Sequence, residues 1–77
     1  MEPHYTFHLE LQKLNKKILN MSAMVEDRVK RAVNTIDTFD ENEVQSLILS
    51  DYEIDDMEVD IEEDCLKILA LHQPVAG

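Results

Sequence analysis

Seventy-seven residues leave room for one small domain at most, and a single cysteine excludes an internal disulfide. Hydrophobic residues make up 44% and charged residues 31%, with one glycine, two prolines and no tryptophan, which describes a helical protein poor in turns. The net charge of −10 is uneven: residues 1–40 hold six acids and six bases, whereas residues 41–77 hold eleven acids and only Lys67. Such a surface repels phosphate backbones, so nucleic-acid binding is not expected, and it favours cations or a basic protein surface. No apolar run approaches the ~20 residues that span a bilayer, and the opening residues lack a secretory pattern. No direct membrane insertion and a cytoplasmic location are therefore expected.

Taken in order, the chain opens with a short lead-in, MEPHYTFHLE, in which His4 and His8 stand one helical turn apart. Two imidazoles at that spacing can share a metal, but exposed polar side chains near a fraying end are the stronger reading. The spacing predicts a first helix over about 5–38, because Phe7, Leu11, Leu14, Ile18, Met21, Val25, Val29, Ala32, Ile36 and Phe39 follow steps of three and four. Lys13, Lys16, Lys17, Lys30 and Arg31 then read as a solvated stripe, and Glu26 and Asp27 fall off the buried face.

The turn is marked by Asp40 as a helix cap, Glu43 as the second member of a capping box, and Phe39 packing on Val44 as a staple. So short a link makes the helices antiparallel neighbours. The second helix is expected over about 41–72, roughly 48 Å long, and Pro74 stops it.

Along this second helix Val44, Leu47, Asp51, Ile54, Glu58, Ile61, Cys65, Ile68 and His72 form the predicted seam. Asp51 and Glu58 occupy seam positions where a packed helix wants carbon, and Asp55 and Glu62 extend them into a carboxylate ladder. Burying ionised carboxylates costs several kcal/mol each unless a cation or hydrogen-bond donors meet them. Asp51 and Asp55, extended by Glu58 and Glu62, are thus the candidate metal ligands, set against the plainer reading of a wet helix face. Hard oxygen donors suit Mg²⁺, Ca²⁺, Mn²⁺ or iron, and one helix cannot surround any of them, so further donors must come from another helix.

Nothing in the sequence supports catalysis. A di-iron carboxylate enzyme needs Glu-x-x-His on two helices, and none of His4, His8 and His72 has a Glu three residues earlier. With only Gly77 there is no phosphate-cradling loop. Cys65 reads as a small buried residue, Met21, Met24 and Met57 as core filler, and His72 as a helix-terminal imidazole meeting the last carbonyls.

The expected fold class is all-α, a long antiparallel helical hairpin. Two such helices bury too little to stand alone. Either a third helix completes a bundle or two hairpins self-associate into a four-helix bundle, so a homo-oligomer is expected. In the second case the chain is a structural scaffold whose acids serve solubility alone.

The runs NMSAMVEDRVKRAV and DYEIDDMEVDIEEDCLKILALHQPVA resemble the start of the PhoU family of phosphate-transport regulators. The similarity lies in Asp51, Ile54, Asp55, Met57 and Glu58, then Ile61, Glu62, Cys65, Leu66, Ile68, Leu69 and Ala70, then Gln73 to Ala76, all in the family's order and spacing. The resemblance implies three-helix bundle repeats in which acid pairs bind iron or other divalent or trivalent metal ions. Asp51 and Asp55 match the first such pair, and the partner motif, Glu-Arg-x-Gly-Asp, belongs to a third helix. Residues 1–77 are accordingly expected to be a partial PhoU-like domain that ends before that helix, with half of the metal site missing. The resemblance further implies a cytoplasmic, oligomeric, non-catalytic negative regulator of phosphate uptake. Its implied partners are the phosphate-transporter ATPase and a sensor histidine kinase.

Overall fold

The computed structural model describes residues 3–72, which form two helices, α1 (Pro3–Thr38) and α2 (Glu41–His72), joined by Phe39 and Asp40. Ion pairs from Lys17 to Asp60, Arg28 to Asp51 and Arg31 to Glu43 step in opposite directions along the two helices, so the pair is antiparallel. The result is a hairpin 58 Å long. Pro74, the expected stop for α2, lies outside the described residues, as does the His4 side chain.

The turn forms for reasons written into three residues. Phe39 takes a positive φ of 52°, and its N–H donates to the Thr35 carbonyl at 2.8 Å, closing α1 with a left-handed cap that normally falls to glycine. The Asp40 carboxylate accepts from the Asn42 N–H at 2.9 Å, and its carbonyl accepts the first α2 bond from the Val44 N–H at 3.0 Å. Asp40 is therefore the helix cap, as expected. The rest of the expected box does not form, because Glu43 accepts from Arg31 Nε at 2.9 Å. Nor does a staple bury Phe39, which stays 79% exposed at the rim of a groove shared with Val44.

The packed seam is displaced from the expected one by a single residue, in alternate steps on α2 and as far as Met21 on α1, and at every step of α1 from Met24 onward. On α1 the side chains turned toward α2 are Phe7, Glu10, Leu14, Lys17, Met21, Met24, Arg28, Arg31 and Thr35. On α2 they are Glu43, Leu47, Ser50, Ile54, Met57, Ile61, Asp64 and Ile68. Both sets keep steps of three and four, and both exchange apolar candidates for polar neighbours. Val25 and Val29 do not set the buried face: Val29 is 57% exposed and Ile36 is 66% exposed. Lys17 and Arg31 leave the solvated stripe for the seam, and Met57 takes the place assigned to Glu58, which is exposed. Among the described residues only Leu14, Ile54 and Thr35 are well buried. Met21, Met24 and Met57 are half-buried filler, as their flexible thioethers allow.

The physical reason for the shift is charge complementarity across the hairpin. α1 brings Lys17, Arg28 and Arg31 to the seam, and α2 meets them with Asp60 and Asp64, Ser50 and Asp51, and Glu43 and Ser46 respectively. Long basic side chains lay their methylene stems along apolar neighbours while their heads reach these oxygens. Of the apolar residues left outside, Ile18, Val25, Val29 and Ile36 of α1 share one side of the hairpin, while Leu49 of α2 lines a groove on the other with Arg31 and Ser46.

Candidate functional site

Asp51 lies next to the seam on α2 and is half-buried. Its Oδ1 is 3.1 Å from Arg28 Nη2, while Arg28 Nε donates to Ser50 Oγ at 3.1 Å. The positive charge demanded by an acid near the seam is thus supplied by this chain's own arginine. Asp55, Glu58 and Glu62 are exposed. All four carboxylates belong to one helix and one is already paired. Among the described residues no group of three or more His, Cys, Asp or Glu side chains is placed to hold a metal ion. The residues present therefore do not fit a complete metal centre. Asp51 and Asp55 offer oxygens on a single wall, and the remaining donors would have to come from elsewhere.

The wall has a definite neighbourhood. Ala32 and Ile36 of α1 line one open groove with Val44 and Ile48 of α2. Seven-residue steps keep a helix face, so Ala32 leads back to Val25, Ile18 and Leu11, and Ile36 leads back to Val29. On α2 the same steps carry Val44 to Asp51 and Glu58, and Ile48 to Asp55 and Glu62. One side of the hairpin therefore sets an apolar stripe from α1 against the acidic ladder of α2, and nothing among the described residues covers it.

The polar sites that the sequence reading missed lie in the seam. Lys17 Nζ reaches Asp60 at 2.8 Å and Asp64 at 2.5 Å. Hydrogen bonds to Asp60 and then Asp64 hold the ammonium protonated far above its ordinary value of 10.5. At the open end, His72 does not meet the last carbonyls of α2. Its Nε2 pairs with Glu10 Oε2 of α1 at 2.9 Å, and its ring stands edge-on to Phe7 at 4.9 Å. The signal that could have found these sites was the alternative heptad through Glu10, Lys17, Met24 and Arg31, each base matching an acid when the chain is folded back at Phe39. Cys65 is half-buried with a free thiol, and Glu26 and Asp27 make exposed pairs with Lys30 and Arg31.

Comparison with known proteins returns one family. The PhoU domain model matches residues 18–77 of this chain. The chain belongs to the PhoU family. Relatives named as phosphate-specific transport system accessory protein PhoU or its homologues include one from Pseudomonas aeruginosa, 37% identical over 92% of this chain and 29% of its own length. Those from Clostridium acetobutylicum and Escherichia coli are 30% and 31% identical, again over 92% of this chain, and over 32% and 30% of their own lengths. The chain thus spans about a third of the PhoU proteins it matches. No solved structure is a significant match. Among the described residues no helix is long and apolar enough to cross a membrane.

Proposed function

We propose that these helices are the opening pair of a PhoU-type accessory protein that restrains phosphate uptake and phosphate-starvation signalling through protein contacts and carries out no chemistry. The observation that supports this reading is the family match over residues 18–77, which falls on a hairpin with one apolar and acidic side uncovered. In this proposal a third helix lies on that side and completes a bundle. The finished bundles assemble into an oligomer in the cytoplasm and contact the phosphate-transporter ATPase and a sensor histidine kinase. The test is retention of the transporter ATPase by a longer protein carrying this segment. Retention is expected, and its absence at micromolar concentrations overturns the regulatory reading.

Metal binding enters the same proposal as a property of the completed bundle, with Asp51 and Asp55 as one wall and Glu58 and Glu62 beside it. Iron, or another divalent or trivalent ion, is the class that hard oxygen donors suit. Elemental analysis of the longer protein is expected to find metal that falls severalfold in Asp51→Ala and in Asp55→Ala. The Arg28–Asp51 pair favours the competing reading of a scaffold hairpin whose acids need no metal. Negligible metal in the parent, unchanged by either substitution, would establish that alternative.

A further inference from the structure

The turn concentrates strain that a second copy of this chain can relieve. Phe39 holds a left-handed conformation without being glycine, in a link of two residues, and its ring is 79% exposed. A Cβ in that region crowds the following carbonyl, and short strained links are where helices exchange between copies. Thr35, Phe39, Glu43 and Leu47 are spaced four apart, and all but Phe39 face the neighbouring helix. Were Phe39 and Asp40 to turn helical, α1 and α2 would fuse and the Phe39 ring would fall on the packed stripe. Repeated four-residue steps unwind a heptad seam locally without breaking it.

The register permits the exchange. Lys17 with Asp60 and Asp64, Arg28 with Asp51, Arg31 with Glu43, and Glu10 with His72 are each centred within two residues of Phe39. Two straightened chains running antiparallel therefore keep every one of these pairs, now between chains, and bring the two Phe39 rings together at the symmetry axis. The few well-buried apolar residues hold the closed hairpin only weakly against opening.

We infer that this chain forms a helix-exchanged antiparallel dimer in which Phe39 and Asp40 become helical and α1 of each copy packs on α2 of the other. The inference does not rest on the regulatory reading. The test is light scattering and small-angle X-ray scattering of the 77-residue chain from micromolar to millimolar concentration. A dimer is expected whose longest dimension is about 105 Å, from residues 3–72 at ~1.5 Å each, against 58 Å for the closed hairpin. Phe39→Gly suits the left-handed turn and disfavours the continuous helix. Glu41→Pro is tolerated in the first turn of α2 but blocks a helix running through it. Each is expected to weaken dimerisation at least tenfold with helicity retained, and if one variant unfolds the other decides. A monomer throughout, a dimer that stays near 60 Å long, or a long dimer unaffected by the folded variants overturns the inference.

Discussion

Lys17 shows how a charged side chain can hold a seam position that looks apolar by its neighbours. Its ammonium sits between Asp60 and Asp64, and those hydrogen bonds raise its pKa above the ordinary 10.5. A group whose pKa is higher in the folded state contributes stability that is complete below its unfolded value and is lost as pH climbs through the folded one. The melting temperature should therefore be insensitive to this group from neutral pH to about 10 and should fall in more alkaline solution. Lys17→Met is expected to lose part of that alkaline dependence, as read from melts compared between about pH 8 and about pH 12. An equally steep fall in the variant would remove Lys17 as its source. Phe39 makes the opposite case, a residue at odds with its backbone. At low protein concentration, where the closed monomer prevails, Phe39→Gly should raise stability to urea by about 0.5–1 kcal/mol, since relief of the left-handed cost outweighs the added freedom of the unfolded chain.

At the scale of the helices, the decisive quantity is rotation about the helix axis. Met57 faces α1 and Glu58 does not, although both are compatible with steps of three and four. Met57→Asp places an unpaired carboxylate in the seam and should cost about 2 kcal/mol, whereas Glu58→Ala should change stability by less than about 0.5 kcal/mol. Equal effects from the two substitutions in urea unfolding would mean that the seam runs through Glu58 after all. Why the sequence left this open is physical. The hairpin itself was legible: uninterrupted apolar periodicity, Asp40 as cap and a link too short for anything but reversal place both helices and their direction. Rotation was not, because hydrophobicity alone puts Ile18, Val25, Val29 and Ile36 inward, as if one helix were the whole environment. Those residues form a second apolar stripe, beside a first that mixes Leu14, Met21 and Met24 with bases. Only pairing each base with an acid from the other helix separates the two stripes. The acidic ladder was found for the same reason it was misplaced: Asp51, Asp55, Glu58 and Glu62 share a face, but that face borders the groove instead of filling the seam.

At the scale of the molecule, the two stripes mean that the hairpin packs one apolar stripe between its helices and leaves the other uncovered among the described residues. A face carrying Val25, Val29, Ala32 and Ile36 beside Val44 and Ile48 gains little from the hairpin itself, and removing it should cost the isolated chain little. The double variant Val29→Lys with Ile36→Lys is accordingly expected to change the stability of the 77-residue chain by less than about 1 kcal/mol, since both positions are surface positions there. In a longer protein in which a third helix covers this side, the same pair would forfeit two buried aliphatic side chains at roughly 1.5–3 kcal/mol each and bury two ammonium groups as well. A loss of at least about 3 kcal/mol is then expected, read as a drop in the urea midpoint with the slope unchanged. Parallel unfolding curves of the short and long proteins test both halves of this argument. Equal losses in the two would place the stripe inside the hairpin's own core, and negligible losses in both would mean that no helix packs there in the complete protein.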